Sequence, residues 1–170
     1  MSPAAGYVAD SADAREREVM RVLADVADPE IPVLSIVDLG IVRHVKWDEH
    51  GRLHVGLTPT YSGCPATEVI RESVRRALNE AGYTDVVLEE VLSPAWSTDW
   101  ITPEGRRKLQ AFGIAPPHAP ANDARSPKVV ACPRCGSRDT QQISEFGSTP
   151  CKAHYRCRSC LEPFDSFKCL

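Results

Sequence analysis

The sequence predicts an α+β fold in two parts. A small α-β-β-α-β-α domain, with helices packed on a three-stranded sheet, is followed by a compact module stapled by its cysteines. Three observations predict it. Apolar residues over 13–114 alternate between helical spacing and strand-like alternation. Residues 115–127 hold Pro116, Pro117, Pro120 and Pro127 among small and polar residues, the composition of a semi-stiff linker. Residues 128–170 then hold six of the seven cysteines.

Residues 1–12 read as a loose tail. Asp13 is placed to cap a first helix, with Glu16 completing a capping box. Val19, Val22, Leu23 and Val26 fall on one face of that helix, and Asp28-Pro29 ends it. Residues 30–40 form an apolar loop with little periodicity. A β-hairpin over 41–47 and 53–57 turns at Asp48-Glu-His-Gly51. Pairing Trp47 with Leu53 puts Ile41, Val45, Trp47, Leu53, Val55 and Leu57 on one face, with His44, Lys46 and His54 on the other. A long helix runs from Pro65 to about Ala81, because Pro suits its first position and Gly82 its stop. Its buried stripe is Ile70, Val74, Ala77, Leu78 and Ala81. Residues 84–92 read as a strand, and a short helix starts at Thr102-Pro103 and ends at Gly113.

The formal net charge of −3 argues against a general nucleic-acid binder. Residues 128–170 carry seven Lys/Arg against four Asp/Glu, so that segment is +3 and the rest is −6. So mild a patch fits an acidic protein partner at least as well as nucleic acid. No apolar run approaches a membrane span, and the N-terminus lacks the features of a signal peptide. Clustered Cys-x-x-Cys pairs without a secretion signal favour metal over disulfides and point to the cytoplasm.

Those pairs are Cys132-Pro-Arg-Cys135 and Cys157-Arg-Ser-Cys160, with twenty-one residues between them. This is about one residue over the usual upper limit for a two-knuckle zinc ribbon. A segment so short cannot bury enough apolar surface to fold alone, and a metal supplies on the order of 10 kcal/mol. Zinc is the default occupant. A closed Cys₄ site has no open coordination position and is therefore structural. A single iron or an iron–sulfur cluster would use the same sulfurs, and spacing does not separate them. Cys151 and Cys169 are left over. They are either small apolar fillers or a second thiol pair that oxidises or holds metal transiently. His154 reads as a surface polar residue.

The isolated Cys64 stands in Thr58-Pro-Thr-Tyr-Ser-Gly-Cys-Pro65, at the start of the long helix. Unpaired N–H groups and the helix dipole stabilise a thiolate there and lower its pKa. Cys64 is either a reactive thiol or a structural cap residue. Asp28 reads as turn chemistry and Glu30 as surface. Asp38, inside an apolar stretch, either hydrogen-bonds backbone near Cys64 or offers an oxygen ligand. Trp96 and Trp100 read as core or as a protein contact surface. The chain has no Gly-x-Gly-x-x-Gly, P-loop, His-Glu-x-x-His or Glu-x-x-His, so nucleotide, zinc-protease and self-contained di-iron chemistry are unsupported.

Asp28-Pro-Glu-Ile-Pro32, Ile36-Val-Asp-Leu-Gly-Ile-Val42 and Thr58–Pro65 resemble the small α/β domain of iron–sulfur assembly proteins of the SufT and MIP18 type. In that family the cysteine at the Cys64 position is the functional thiol, and the Asp38-Leu-Gly40 loop lies close to it. Over the whole chain, residues 94–109, Phe146-Gly-Ser-Thr-Pro-Cys-Lys-Ala153 and the final Phe-Lys-Cys are similar to the PaaD family of the bacterial phenylacetyl-CoA epoxidase system. The resemblance implies a role in aerobic phenylacetate degradation, beside a multicomponent di-iron monooxygenase and its flavin and [2Fe–2S] reductase. It implies an accessory factor that helps mature or insert the metal centres rather than perform the epoxidation; the first reading built on it has Cys64 binding iron or a cluster transiently, supported by Asp38, with the ribbon docking the client oxygenase or reductase. Two rival readings are a structural or regulatory component of the complex and a thiol-redox protein. The oligomeric state, a homodimer included, is not legible.

Overall fold

A computed structural model describes residues 14–61, 65–117 and 129–168. They part into two units, Met1–Trp96 and Ser97–Leu170. The α+β class is as the sequence predicts.

The first unit runs α1 (Ala14–Ala24), β1 (Val42–Trp47), β2 (Leu53–Leu57), α2 (Ala66–Glu80) and β3 (Val86–Glu90). Its sheet has the order β1-β2-β3. The hairpin β1–β2 is antiparallel, whereas β3 is parallel to β2. Parallel neighbours need a crossover, and α2 supplies it. Helix α1 buries Val19 and Leu23, and α2 buries Ile70, Val74 and Leu78. Both pack against the sheet, where Leu53 and Val55 are closed off from solvent. Gly82, at φ 93°, ends the long helix as its position predicts. Asp13, the expected cap of α1, lies outside the described residues.

Trp47 pairs with Leu53 and Val45 with Val55, the expected register. An irregularity between Val42 and His44 then places Val42 opposite Leu57. A bulge inserts one residue, so Val42 is buried and Arg43 becomes the unpaired extra residue. The Arg15 guanidinium lies 4.9 Å over the Trp47 ring, so this indole packs under a cation at the sheet's margin and is only half-buried.

The second unit holds a 3-10 turn (Thr98–Trp100), α3 (Pro103–Phe112), β4 (Ile114–Ala115), β5 (Thr140–Ser144), β6 (Lys152–Cys157) and β7 (Pro163–Phe167). Helix α3 has its expected ends. Gly105 N–H donates to the Thr102 hydroxyl at 2.9 Å, and Gly113 closes it at φ 91°. Its membership differs from expectation. The sequence reading groups 13–114 as one domain, 115–127 as linker and 128–170 as the cysteine module. In the structure Ile114 and Ala115 pair in parallel with Asp165 and Ser166, so α3 continues into the sheet of the cysteine module. That sheet has the order β4-β7-β6-β5. Residues 118–127 of the expected linker lie outside the described residues. The module's core is Ala115, Val130, Cys132, Ala153, Tyr155, Cys157 and Phe164, with the Tyr155 and Phe164 rings stacked at 5.8 Å. Among the described residues, no helix is long and apolar enough to cross a membrane.

Candidate functional site

The two knuckles converge on one point. Cys132 Sγ lies 3.7 Å from Cys160 Sγ, and Cys135 Sγ lies 3.6 Å from Cys157 Sγ. All four sulfurs fall within 4.8 Å of one another. A tetrahedral ion with metal–sulfur bonds of ~2.3 Å sets its ligand sulfurs about 3.8 Å apart. The four residues therefore fit a single tetrahedral ion. A cluster, with several metals between its thiolates, spreads them wider. Cys132 and Cys157 are buried, while Cys135 and Cys160 face outward.

Backbone geometry builds each knuckle the same way. Cys132 N–H donates to Ser137 O and Cys157 N–H to Glu162 O, both at 2.9 Å. The Ser137 and Ser159 hydroxyls meet at 2.7 Å between the knuckle loops. The Cys157 thiol is drawn down to about 6, first by the Cys160 N–H aimed at its sulfur and then by that of Ser159. Cys160 behaves oppositely. The Glu162 N–H lowers its pKa, but desolvation and the sulfurs of Cys135, Cys157 and Cys132 push it up to about 12. Four sulfurs this close do not all ionise without a cation to share, which is the charge problem a divalent ion solves.

Cys151 is not among these ligands. It is buried, its sulfur lies 3.0 Å from the Thr149 hydroxyl, and its carbonyl accepts from Lys168 N–H at 2.9 Å. Cys169, its proposed partner, lies outside the described residues. His154 lies half-buried on β6, and its Nδ1 is 3.0 Å from Asp165 Oδ1. Asp165 also accepts from the Ser148 hydroxyl at 2.8 Å and faces the buried Lys152 ammonium at 3.8 Å. Burial raises its pKa, but the bonds from His154 and Ser148 with the Lys152 charge outweigh that and leave it lowered. Asp165 thus holds the Phe146–Cys151 turn, and a Cβ on Gly147 would meet its carboxylate at 2.8 Å.

In the first unit, the loop from Asp28 to Ile41 is built on reciprocal side-chain bonds. Glu30 and Ile31 N–H donate to Asp28 Oδ1 at 2.9 and 2.7 Å. Ser35 N–H donates to Asp38 Oδ2, and Asp38 N–H to Ser35 Oγ, both at 3.0 Å. Asp38 is buried, and this pair gives it a backbone-holding part in the turn. Trp96 is buried and binds the same loop through Leu39, while Thr58 N–H donates to Ile41 O at 2.9 Å. Thr58 begins the stretch leading to Cys64, and Pro65 stands at the N-cap position of α2 with no side-chain cap. Cys64 itself lies outside the described residues.

Sequence reasoning missed Glu89. His44 and His54 face away from the helices as predicted, but they converge on Glu89 of β3. His44 Nε2 is 2.8 Å from Oε2, and His54 Nδ1 is 2.6 Å from Oε1. His54 Nε2 lies 3.2 Å from Asp48 Oδ2. The close approach of His44 requires Gly56, where a Cβ would sit 2.3 Å from the imidazole. Leu88 faces inward and Glu89 outward, so strand alternation carried the signal once β3 is placed beside β2.

Comparison with known proteins agrees with both halves. The PaaD zinc beta ribbon domain matches residues 116–168, and the iron–sulfur cluster assembly protein family matches residues 16–87. The chain is 36% identical over 88 residues to the Fe–S protein maturation auxiliary factor YitW of Bacillus subtilis, covering 51% of this chain and 85% of that one. A crystal structure of a DUF59 domain from Bacillus anthracis superposes with a TM-score of 0.51 at 29% identity, over 55% of this chain and 90% of that one. An Escherichia coli protein assigned to 1,2-phenylacetyl-CoA epoxidase as its fourth lettered component is 52% identical over 153 residues, 90% of this chain and 92% of that protein. An assembly-type α/β domain, a four-sulfur ribbon and identity along nearly the whole length coincide, and the chain belongs to the PaaD family of 1,2-phenylacetyl-CoA epoxidase subunits.

Proposed function

We propose that this chain is an accessory maturation factor for the phenylacetyl-CoA epoxidase system, acting on the iron or iron–sulfur centres of the oxygenase or reductase subunits. Cys64 receives iron or a cluster as cargo, and the Asp38 loop supports it. The ribbon holds a resident structural Zn²⁺ on Cys132, Cys135, Cys157 and Cys160. The observation that carries this reading is the closed geometry of the four-sulfur site. Four protein ligands leave no coordination position for substrate, so this centre staples a fold and performs no turnover. The remaining half of the chain matches an assembly family, and relatives of that half are described as Fe–S maturation factors. Epoxidation belongs to the partner subunits on this reading.

The test is co-expression of the oxygenase and reductase subunits with the wild-type chain or with Cys64→Ala, followed by anaerobic purification. Iron and acid-labile sulfide are then measured in each client. The variant is expected to keep its far-UV circular dichroism and its zinc while the client emerges depleted of iron. A fully iron-loaded, active epoxidase from the Cys64→Ala background overturns the reading.

A further inference from the structure

The two knuckles are alike except at one residue. Each turns left-handed immediately after its second cysteine. The first does so with Gly136 at φ 76°, and the second with Leu161 at φ 64°. Glycine enters that region freely, whereas a Cβ there crowds the backbone and costs free energy. Leu161 is the one non-glycine residue at positive φ among the described residues. Burial does not offset the strain, because the side chain is 61% exposed. Local strain at an exposed apolar side chain, where the sister turn shows glycine suffices, points outward to something the side chain meets.

A second exposed apolar side chain stands on the helix that abuts the knuckles. Phe112, at the end of α3, is 57% exposed. The end of α3 abuts the first knuckle: Gln110 Nε2 donates to Pro133 O at 3.2 Å, and a Cβ on Gly113 would lie 3.8 Å from Arg134 Nε. Arg134 in turn reaches Glu162, the neighbour of Leu161, at 3.9 Å. The second knuckle carries its own exposed arginine, Arg158, 3.9 Å from Asp139. Long exposed pairs of this kind contribute little, so both guanidinium groups can exchange partners. Residues 97–170 carry eleven Lys/Arg against seven Asp/Glu, a net +4, while residues 1–96 are net −7.

We propose that Leu161, with Phe112, Arg134 and Arg158 around it, is the anchor of a docking surface for an acidic protein face, that of the epoxidase subunit receiving metal. The apolar anchors enter a pocket on the client, and the knuckle arginines trade Glu162 and Asp139 for its rim carboxylates. A net +4 over residues 97–170 is too mild a charge to track a phosphate backbone, which favours a protein face over nucleic acid. The inference rests on the maturation reading for the identity of the client alone.

Titration calorimetry of the full chain against purified oxygenase and purified reductase subunits tests it. Leu161→Gly relieves the turn and removes the anchor, so stability and binding move apart. Its melting temperature is expected to equal or exceed that of wild type, with its metal retained, while affinity for the client falls about tenfold or more. Phe112→Ser is expected to weaken binding likewise, and the wild-type affinity to fall as ionic strength rises. Unchanged affinity in Leu161→Gly overturns the proposal. So does a wild-type chain that binds neither client, that binds a second copy of itself through this surface, or that prefers a duplex oligonucleotide. Cys64→Ala is expected to bind the client as wild type does. A loss of docking is thereby distinguished from a failure of Cys64 to handle iron.

Discussion

The indole Nε1 of Trp96 donates to the carbonyl of Leu39 across 2.8 Å, in a part of the first unit where Trp96 is only 6% exposed. Leu39 sits between Asp38 and Gly40, whose φ of 68° makes the turn. Trp96 lies beyond residue 87, where the match to the assembly family ends. The segment that carries it leaves β3 with Val91 N–H on Leu57 O at 2.8 Å, then reaches back to the loop. It is a strap that fixes the Asp38 turn from outside the assembly-family segment.

Trp96→Phe keeps an aromatic ring but leaves the Leu39 carbonyl without its donor. A buried acceptor stripped of its partner costs about 1–3 kcal/mol. The urea midpoint is expected to fall accordingly, and Trp96→Ala, which also opens a cavity, to cost about 3–5 kcal/mol. A Trp96→Phe chain as stable as wild type would show that another donor takes the carbonyl.

What the sequence made legible follows periodicity and spacing. Ile70, Val74 and Leu78 of the α2 stripe, the Trp47–Leu53 register and both ends of α3 are readable because each rests on residues a few positions apart, whereas Ala81, expected in the stripe, stands exposed past the end of the helix. The four ligands are readable because a knuckle is local and two knuckles imply a centre. Long-range pairings are not. Glu89 reads as one acid in a strand until β3 lies parallel to β2, which puts it between His44 and His54. The place of α3 depends on two residues, Ile114 and Ala115, pairing with Asp165 and Ser166 some fifty positions on. The bulge at Arg43 moves Val42 inward, which strict alternation reads the other way. Trp96 reads from sequence as core or contact surface; its bond to Leu39 depends on a partner 57 residues distant.

Removing the ribbon's metal should unfold the second unit selectively. The ribbon's cluster around Tyr155 and Phe164 has seven members among the described residues, and two of them, Cys132 and Cys157, are themselves ligands. So small a core depends on its staple, whose binding supplies on the order of 10 kcal/mol. Treatment of the full chain with a chelator is expected to release one ion per chain. Proteolysis should then cut within residues 129–168 while residues 14–61 stay protected. Cys157→Ser, which removes a buried ligand, is expected to purify with the same susceptibility. Persistent protection of 129–168 in the metal-free chain would show that the sheet stands without the ion.

The Glu89 network predicts a pH window. His54 has its pKa raised from 6.5, first by the hydrogen bond to Glu89 and then by that to Asp48. Its contribution to stability is therefore complete below 6.5 and is lost as pH rises through the raised folded value. Glu89 has its pKa lowered from 4.5, first by the bond to His54, then by His44 and the Lys46 charge. Its contribution is complete above 4.5 and is lost as pH falls through the lowered folded value. Both contributions coexist between 4.5 and 6.5. His44, His54 and Glu89 are all partly exposed, so the effect is small and screened by salt. The denaturant midpoint of wild type relative to Glu89→Gln is expected to be greatest inside that window, to narrow on the alkaline side as His54 loses its proton, and to narrow further in high salt. A difference that stays constant from inside the window to well above it would mean that His54 meets Glu89 as a neutral imidazole, and that the bond is set by shape rather than charge.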